Sequence, residues 1–195
     1  MTGLYPRQRV DAVLKPLTVP VAHRILWKTL MAEPLQVWPA RSRFCDGRSF
    51  SVLYAAGDLA TSFIEVLVRD RYVQRSERVI PYDDVRARAW VEFDLPQSTP
   101  LMLVDLRGSG CLALGAPTDA AHARNHSAGR ALGRALYEQH SDVDGIWYPS
   151  RLNGGECFAI FDRALGALTA RRTGELEHHP QLPEILEAHG IRLEL

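Results

Sequence analysis

The stretch SVLYAAGDLATSFIEVL, residues 51–67, predicts a strand followed by a helix that carries one acidic side chain among apolar ones. Its first six residues have the length and apolar content of a buried strand. Gly57 and Asp58 then break the strand, and Asp58 is a favourable N-cap for the helix. The apolar residues that follow share one helical face, and Glu65 lies on the flank of that stripe. The unit therefore predicts a strand–helix pair with a carboxylate at the edge of the core.

The rest of the chain contains more strands than helices. Helices are predicted at residues 118–140, where Gly129 and Gly133 weaken the pattern, and at 180–189. A Gly-rich hairpin loop is predicted at 151–155, a long loop at 28–49 and an arm or irregular segment at 1–20. Strands are predicted at 21–27, 88–96, 101–106, 145–150, 156–162 and 191–195. Because strands and helices do not alternate regularly, the pattern predicts an α+β fold.

Composition excludes several classes of protein. Lys plus Arg and Asp plus Glu both number 23, so the net charge is zero and a dedicated nucleic-acid binder is not expected. The three cysteines, Cys45, Cys111 and Cys157, have no CxxC spacing, which argues against disulfides and a cysteine zinc site. No run reaches about 18 apolar residues and the N-terminus lacks a signal-peptide pattern. We therefore expect a cytoplasmic protein with no membrane span.

Common catalytic motifs are missing from the sequence. It contains no GxxxxGK[ST] loop, no GxGxxG opening a helix after a strand and no GxSxG. His122 and His126 stand four residues apart, which would put both on one helical face. No HExxH surrounds them and no third ligand is marked, so a solvated helix face is the better interpretation. We predict no metal site.

Several polar residues stand at strand and helix ends, inside apolar runs or in the long loop. Arg24, Tyr54 and Glu65 lie in apolar runs, Ser150 and Arg151 end the strand at 145–150, and Arg41 and Arg43 lie in the long loop. Arginines hold a diphosphate through charge-assisted hydrogen bonds, and a tyrosine ring stacks on a flat heterocycle. A single carboxylate hydrogen-bonds a ribose hydroxyl and stabilises an oxocarbenium cation. The combination suggests cleavage of the nicotinamide–ribose bond of NAD.

Each of these residues also has a purely structural alternative. Arg24 fits an outward position on an edge strand, and Tyr54 fits a core position with its hydroxyl at the rim. Glu65 fits an ion pair with Arg69, four residues further along the helix.

The ordered set of motifs resembles the RES-domain toxins of RES–Xre toxin–antitoxin pairs. The resemblance covers roughly residues 20–165. At the second arginine the family commonly has Gly-Arg-Trp/Phe-Asn, whereas this chain has Ser42-Arg43-Phe44-Cys45. The matching motifs are H-R-I (23–25), S-R-F (42–44), V-L-Y-A-A (52–56), F-I-E-V-L (63–67), and G-I-W-Y-P-S-R (145–151) followed by A-I-F-D (159–162).

The resemblance implies a role for each matching residue. It implies that Arg24 and Arg43 bind the phosphates and ribose of NAD and that Tyr54 packs on the nicotinamide side. Glu65 is implied as the catalytic carboxylate, with Arg24 and Tyr54 beside it, and Ser150 lines the same pocket. Asn153, together with His23 and Arg151, is an adjacent candidate for NAD binding.

The resemblance also implies a fold, an activity and a partner. The fold is a mixed split β-sheet with flanking helices, similar to the ADP-ribosyltransferase core. A RES domain would span 20–165, with an N-terminal arm at 1–19 and a C-terminal extension at 166–195 packed on the same domain. A cognate Xre-like antitoxin would occlude the NAD pocket and supply any DNA binding. The terminal segments leave open whether the protein forms a homo-oligomer.

Three activities follow from these considerations. The first is a toxin that cleaves NAD and transfers ADP-ribose to phosphate or water, with NAD as substrate, phosphate as co-substrate and no prosthetic group. The second is a mono-ADP-ribosyltransferase that modifies a protein target. The third is a non-catalytic module that binds a partner.

Overall fold

The fold is built around one large β-sheet. The structure is a computed structural model, and it describes residues 4–195. The strands are β1 (Leu14–Pro16), β2 (Val21–Trp27), β3 (Val52–Ala56), β4 (Val79–Pro81), β5 (Arg88–Asp94), β6 (Met102–Asp105), β7 (Gly145–Pro149), β8 (Glu156–Phe161), β9 (Thr169–Glu175) and β10 (Arg192–Glu194). Eight of them form a mixed sheet in the order β1-β6-β7-β8-β3-β2-β5-β9, and β10 pairs with β4 separately.

Short helices flank the sheet. They are α1 (Arg7–Val13), α2 (Leu59–Phe63), α3 (Tyr82–Arg86), α4 (Gly110–Leu114), α5 (Asp119–His122), α6 (Ser127–Gln139) and α7 (Leu182–Ala188). A π-helical segment, Ile64–Val68, continues α2, and 3-10 turns occupy Lys28–Leu30, Asp162–Ala167 and Leu176–His178. The predicted α+β class, a mixed sheet with flanking helices, is confirmed.

The sheet is split between β2 and β3. These two antiparallel strands share the single residue pair His23–Ala56, whereas β2 and β5 pair along seven residues from Val21 to Trp27. The two strands therefore diverge from one point, and helix α2 fills the gap on one side. The backbone N–H of Ile25, which has no strand partner on β3, donates to Ser62 Oγ of α2 at 3.1 Å.

The strand–helix unit forms as the sequence predicts. The Asp58 side chain caps α2 by accepting the Thr61 N–H at 2.7 Å. Leu59 and Phe63 are buried, and they pack in a hydrophobic cluster that also contains Ile25 of β2 and Ile185 of α7. The C-terminal helix α7 and helix α2 therefore share one hydrophobic core.

The segment before residue 20 is more regular than predicted. Met1 to Gly3 of the predicted arm lie outside the described residues. Residues 7–16 form α1 and then β1, and β1 pairs with β6 at the edge of the sheet. Only Val10 and Val13 of α1 are buried, so seven residues carried too little periodicity to be recognised as a helix.

The predicted helix at residues 118–140 is wrong as a continuous element. It is two helices, because the chain leaves helical geometry at Ala123 and resumes it after His126. His122 therefore ends one helix and His126 precedes the next, so the two histidines do not share a helical face. The break leaves the Ala123 carbonyl free of helical hydrogen bonding, which matters for the site below.

Within residues 166–195, β9 extends the large sheet, whereas β10 pairs with β4 separately. Strand β9 pairs with β5 along its length, and α7 buries Leu182 and Ile185. Within residues 4–195, no helix combines the length and the apolar character needed to cross a membrane.

Two glycines allow the long loop to approach helix α6. A Cβ on Gly129 would lie 2.5 Å from the carbonyl oxygen of Arg43, and one on Gly133 would lie 2.0 Å from that of Phe44. The glycines that weaken the helical pattern in the sequence are therefore the residues on which the loop packs.

We expect Gly133→Ala to destabilise the protein although alanine favours a helix by about 1 kcal/mol. The new Cβ meets backbone, which cannot move as a side chain can, and such overpacking costs roughly 1–3 kcal/mol. Urea unfolding measures the change in the free energy of unfolding. The matched control is Gly166→Ala, because a Cβ there meets nothing within 4 Å. Equal stabilities for the two variants would contradict the close packing.

Candidate functional site

The centre of the candidate site is the pair Glu65 and Ser150. Ser150 Oγ donates to Glu65 Oε1 at 2.6 Å, and Ser150 is buried at 3% exposure. Glu65 lies in the π-helical segment, a geometry that is frequent at functional sites. Glu65 forms no ion pair with Arg69 within the described chain, so the structural alternative for this carboxylate is not what the structure shows. Arg69 follows the segment, and its φ of +48° lies outside helical geometry.

The hairpin loop 151–155 fixes the serine hydroxyl. Ser150 Oγ accepts the N–H groups of Leu152 at 3.2 Å and Asn153 at 3.4 Å. Since its lone pairs are occupied, its proton is directed at Glu65. Gly154, with φ of +75°, allows the tight turn. The side chain of Asn153 donates from Nδ2 to Thr61 Oγ1 at 3.1 Å, and its role in NAD binding stays a prediction.

Tyr54 anchors the long loop to the sheet. Its hydroxyl accepts the Phe44 N–H at 2.9 Å and lies 2.8 Å from Ser42 Oγ. Burial raises the pKa of Tyr54 to about 12, so the phenol stays protonated at neutral pH. Ser42, which stands where the family commonly has Gly, is thus a partner of the predicted pocket tyrosine.

The loop in turn positions Arg43. Its Nη1 donates to the Ala123 carbonyl at 3.0 Å, in the break between α5 and α6. Gly129 of α6 packs on the backbone of Arg43, so the helix break and the glycine together set the position of this arginine.

Tyr148 lies close to the predicted residues Tyr54, Glu65 and Arg43, and sequence reasoning did not single it out. It is buried, and its ring packs edge-on against Phe44 with centroids 5.0 Å apart. Burial raises the pKa of Tyr148 well above its usual value, and its neighbours Tyr54 and Glu65 raise it further, whereas Arg43 lowers it. The available signal was its position two residues before Ser150, since residues two apart on a strand share a face.

Arg24 is not brought together with Tyr54 and Glu65. Alternation along β2 places it on the face opposite His23, while His23 shares its face with Ala56 and Tyr54. Its Nη1 donates to the carbonyls of Pro34 at 2.8 Å and Gln36 at 3.3 Å. Burial lowers the pKa of Arg24 to about 10, and it forms no ion pair with any described residue. Its role in NAD binding stays a prediction.

A basic cluster surrounds His126 beside the site. Burial is the main cause that lowers the pKa of His126. Positive charges lower it further, and they belong to Arg43, Arg130, Arg69 and Arg151. The solvated helix face predicted for His126 is therefore wrong, because the residue lies half-buried among arginines.

One carboxylate partly balances this cluster. Asp70 accepts from Arg151 Nη2 at 2.8 Å and lies 3.3 Å from Arg124 Nε. These arginines hold the pKa of Asp70 below its usual range. Arg43, Arg69 and Arg130 form no ion pair within residues 4–195, so positive charge remains in excess.

The described residues contain one group with metal-ligand geometry, and it lies away from this site. It consists of Glu175, Glu177 and His178. Glu175 already pairs with Lys28 Nζ at 2.7 Å, and Glu177 accepts from the Tyr82 hydroxyl at 2.5 Å. The carboxylates are thus engaged by protein donors, and we assign no metal to them.

Comparisons with known proteins identify a curated relative, a solved structure of similar fold and a family. A curated relative, named "Probable toxin y4kH" from Sinorhizobium fredii (strain NBRC 101917 / NGR234), is 41% identical over 95 residues, which are 48% of this chain and 75% of the relative. A solved structure, the M. tuberculosis MbcT-MbcA toxin-antitoxin complex, contains a similar chain with a TM-score of 0.66 and 19% identity. That match covers 93% of this chain and 96% of the other, and at this identity it shows the shared fold.

The family model described as the RES domain matches residues 19–181. The match extends past residue 165, where the sequence motifs end, and includes β9. It also spans every residue of the candidate site, so the chain belongs to the RES domain family.

Proposed function

We propose that this protein is the toxin of a toxin–antitoxin system and that it degrades NAD by cleaving the nicotinamide–ribose bond. The observation that carries the proposal is the Glu65 carboxylate, held by Ser150 Oγ at 2.6 Å next to an excess of arginine charge. A lone oriented carboxylate suits a developing cation, and unpaired guanidinium groups suit the diphosphate of NAD.

The arginines supply the anion-binding part of the site. Arg43 and Arg130 are half-buried and Arg69 is exposed, and none of the three has a carboxylate partner among the described residues. A bound diphosphate or inorganic phosphate would balance that charge. Arg24 lies on the opposite face of the sheet from Tyr54 and is not part of this cluster, although its Nε and Nη2 are not used in hydrogen bonds to described residues.

The reaction follows from these placements. The bond between ribose C1′ and the pyridinium nitrogen breaks, and its electron pair goes to the ring, which leaves as neutral nicotinamide. Positive character develops at C1′ and the ring oxygen, where the Glu65 carboxylate stabilises it. An oxygen of phosphate then bonds to this carbon, which is numbered C1″ in the product, ADP-ribose 1″-phosphate. With water as acceptor the products are ADP-ribose and a proton.

The relatives support a toxin with a protein partner. One relative carries the name of a probable toxin, and the structural neighbour was solved in a toxin–antitoxin complex. We propose that an antitoxin, of the Xre-like type, binds this chain and covers the site. DNA binding would then belong to the partner, in agreement with the zero net charge.

The decisive experiment is mass spectrometry of NAD incubated with pure protein, with and without phosphate. Nicotinamide and ADP-ribose 1″-phosphate are expected with phosphate, and ADP-ribose is expected if water replaces it. A mass increase on the protein itself would favour the ADP-ribosyltransferase alternative. Intact NAD in both samples would favour the non-catalytic binding module and end the proposal.

We expect Glu65→Gln to lower kcat roughly 100- to 1,000-fold, because the charge that stabilises the cation is lost. The amide oxygen still accepts from Ser150, so the melting temperature should stay close to that of the wild type. A nicotinamide-release assay and a melting curve on the same sample test both points. Glu138→Gln removes a carboxylate that pairs with Arg134 on α6 and is the control with unchanged kcat. Wild-type turnover by Glu65→Gln would refute the catalytic assignment.

We expect Arg43→Lys to raise the KM for NAD by about tenfold with a smaller change in kcat. Lysine keeps the charge but loses the planar pair of donors that fits a phosphate, and it cannot hold the Ala123 carbonyl in the same geometry. Initial rates over a range of NAD concentrations separate the two constants. Arg48→Lys, in an exposed part of the same loop, should leave both unchanged. An unaltered KM in Arg43→Lys would remove Arg43 from the NAD pocket.

A further inference from the structure

A chain of hydrogen bonds runs from the start of helix α2 to the candidate catalytic carboxylate. Thr61 Oγ1 donates to Asp58 Oδ2 at 3.0 Å and accepts from Asn153 Nδ2 at 3.1 Å. The Asn153 N–H donates to Ser150 Oγ at 3.4 Å, and Ser150 Oγ donates to Glu65 Oε1 at 2.6 Å. The bonds from Asn153 to Thr61 and from Ser150 to Glu65 join separate elements, so the loop after β7 is tied both to α2 and to the π-helical segment.

Among these hydrogen-bonded residues, Thr61 is the one that the loop 151–155 contacts directly. It is 1% exposed, and both functions of its hydroxyl, donor and acceptor, are used. Gly155 lies directly on it, since a Cβ at Gly155 would come within 2.1 Å of Thr61 Oγ1. The loop 151–155 is therefore placed by contact with Thr61 as well as by hydrogen bonding.

We propose that Thr61 is a positioning residue, which fixes the loop 151–155 through Asn153 and so aims the Ser150 hydroxyl at Glu65. Asn153 belongs to the same support rather than to the NAD-binding surface, because its amide nitrogen is directed at Thr61. The proposal rests on the proposed function, in which Glu65 is the catalytic carboxylate. Side chains that orient catalytic groups act mainly on the chemical step, since a small displacement of a reacting group lowers the rate strongly.

Thr61→Val tests the proposal, because valine keeps the shape of threonine and removes the hydroxyl. We expect kcat for NAD cleavage to fall roughly ten- to a hundredfold while the KM for NAD changes little. Thr61→Ser restores a hydroxyl and should recover most of the wild-type kcat. Ser62→Ala is the matched control, because it also removes a buried hydroxyl from α2. The Ser62 hydroxyl accepts from the Ile25 N–H and takes no part in the hydrogen bonds that link Thr61 to Glu65. It should lower the melting temperature and leave kcat close to wild type.

Hydrogen exchange gives a readout that needs no activity. The amides of Leu152 and Asn153, which donate to Ser150 Oγ, should exchange faster in Thr61→Val than in the wild type and Ser62→Ala. If Thr61→Val does not fold, Asn153→Ala breaks the same chain from its exposed end. It should lower kcat with an unchanged KM, whereas a raised KM would return Asn153 to the NAD-binding surface and contradict the proposal.

The outcomes separate the two proposals. A wild-type protein that cleaves NAD, with Thr61→Val as active as Ser62→Ala, overturns the positioning role and leaves the proposed function intact. A wild-type protein that leaves NAD untouched overturns the proposed function. In that case the exchange rates of the loop amides decide the positioning role, and wild-type rates in Thr61→Val overturn it.

Discussion

The fold depends on the way the central sheet is split where β2 and β3 diverge. Only the pair His23–Ala56 joins these strands, so β2 leaves backbone groups without a strand partner. A buried N–H without an acceptor is costly, and the Ser62 hydroxyl of α2 accepts the one from Ile25. Helix α2 lies in the gap between the two halves of the sheet, where Leu59 and Phe63 pack in one cluster with Ile25 of β2. The π-helical segment that continues α2 then carries Glu65 to the end of β7.

The long loop 28–49 is ordered from two sides. The Tyr54 hydroxyl holds the Phe44 N–H from the sheet, and Gly129 and Gly133 let the loop backbone approach α6. Loops of this length without regular structure are uncommon unless they have a function. Here the loop delivers Arg43 to the site, and the side chain then bonds the Ala123 carbonyl released by the helix break.

Electrostatics distinguish this region from the rest of a neutral protein. Positive and negative charges are equal over the whole chain, yet the surroundings of His126 are dominated by arginine. Among residues 4–195, Asp70 forms ion pairs with Arg151 and Arg124 alone. The remaining excess lies beside the Glu65–Ser150 pair, and such a local field favours an anionic group over a cationic one.

The sequence by itself determined the local elements and the identity of the polar residues. The strand 21–27 forms as β2, and the Asp58 cap starts α2 as predicted, because periodicity and capping are local properties. The family motifs singled out Glu65 and Ser150, and the structure joins them by a hydrogen bond.

Only the tertiary structure decided how those residues meet. Arg24 and Tyr54 lie on opposite faces, and this follows from the register at His23–Ala56, which pairs residues 33 positions apart. The basic surroundings of His126 combine arginines from four separate segments, so no local sequence pattern predicts them. The helix break at Ala123 and the short strand β1 depend on packing and on strand pairing with distant parts of the chain. Patterns in a single sequence report such contacts poorly, because the partner residues are not local.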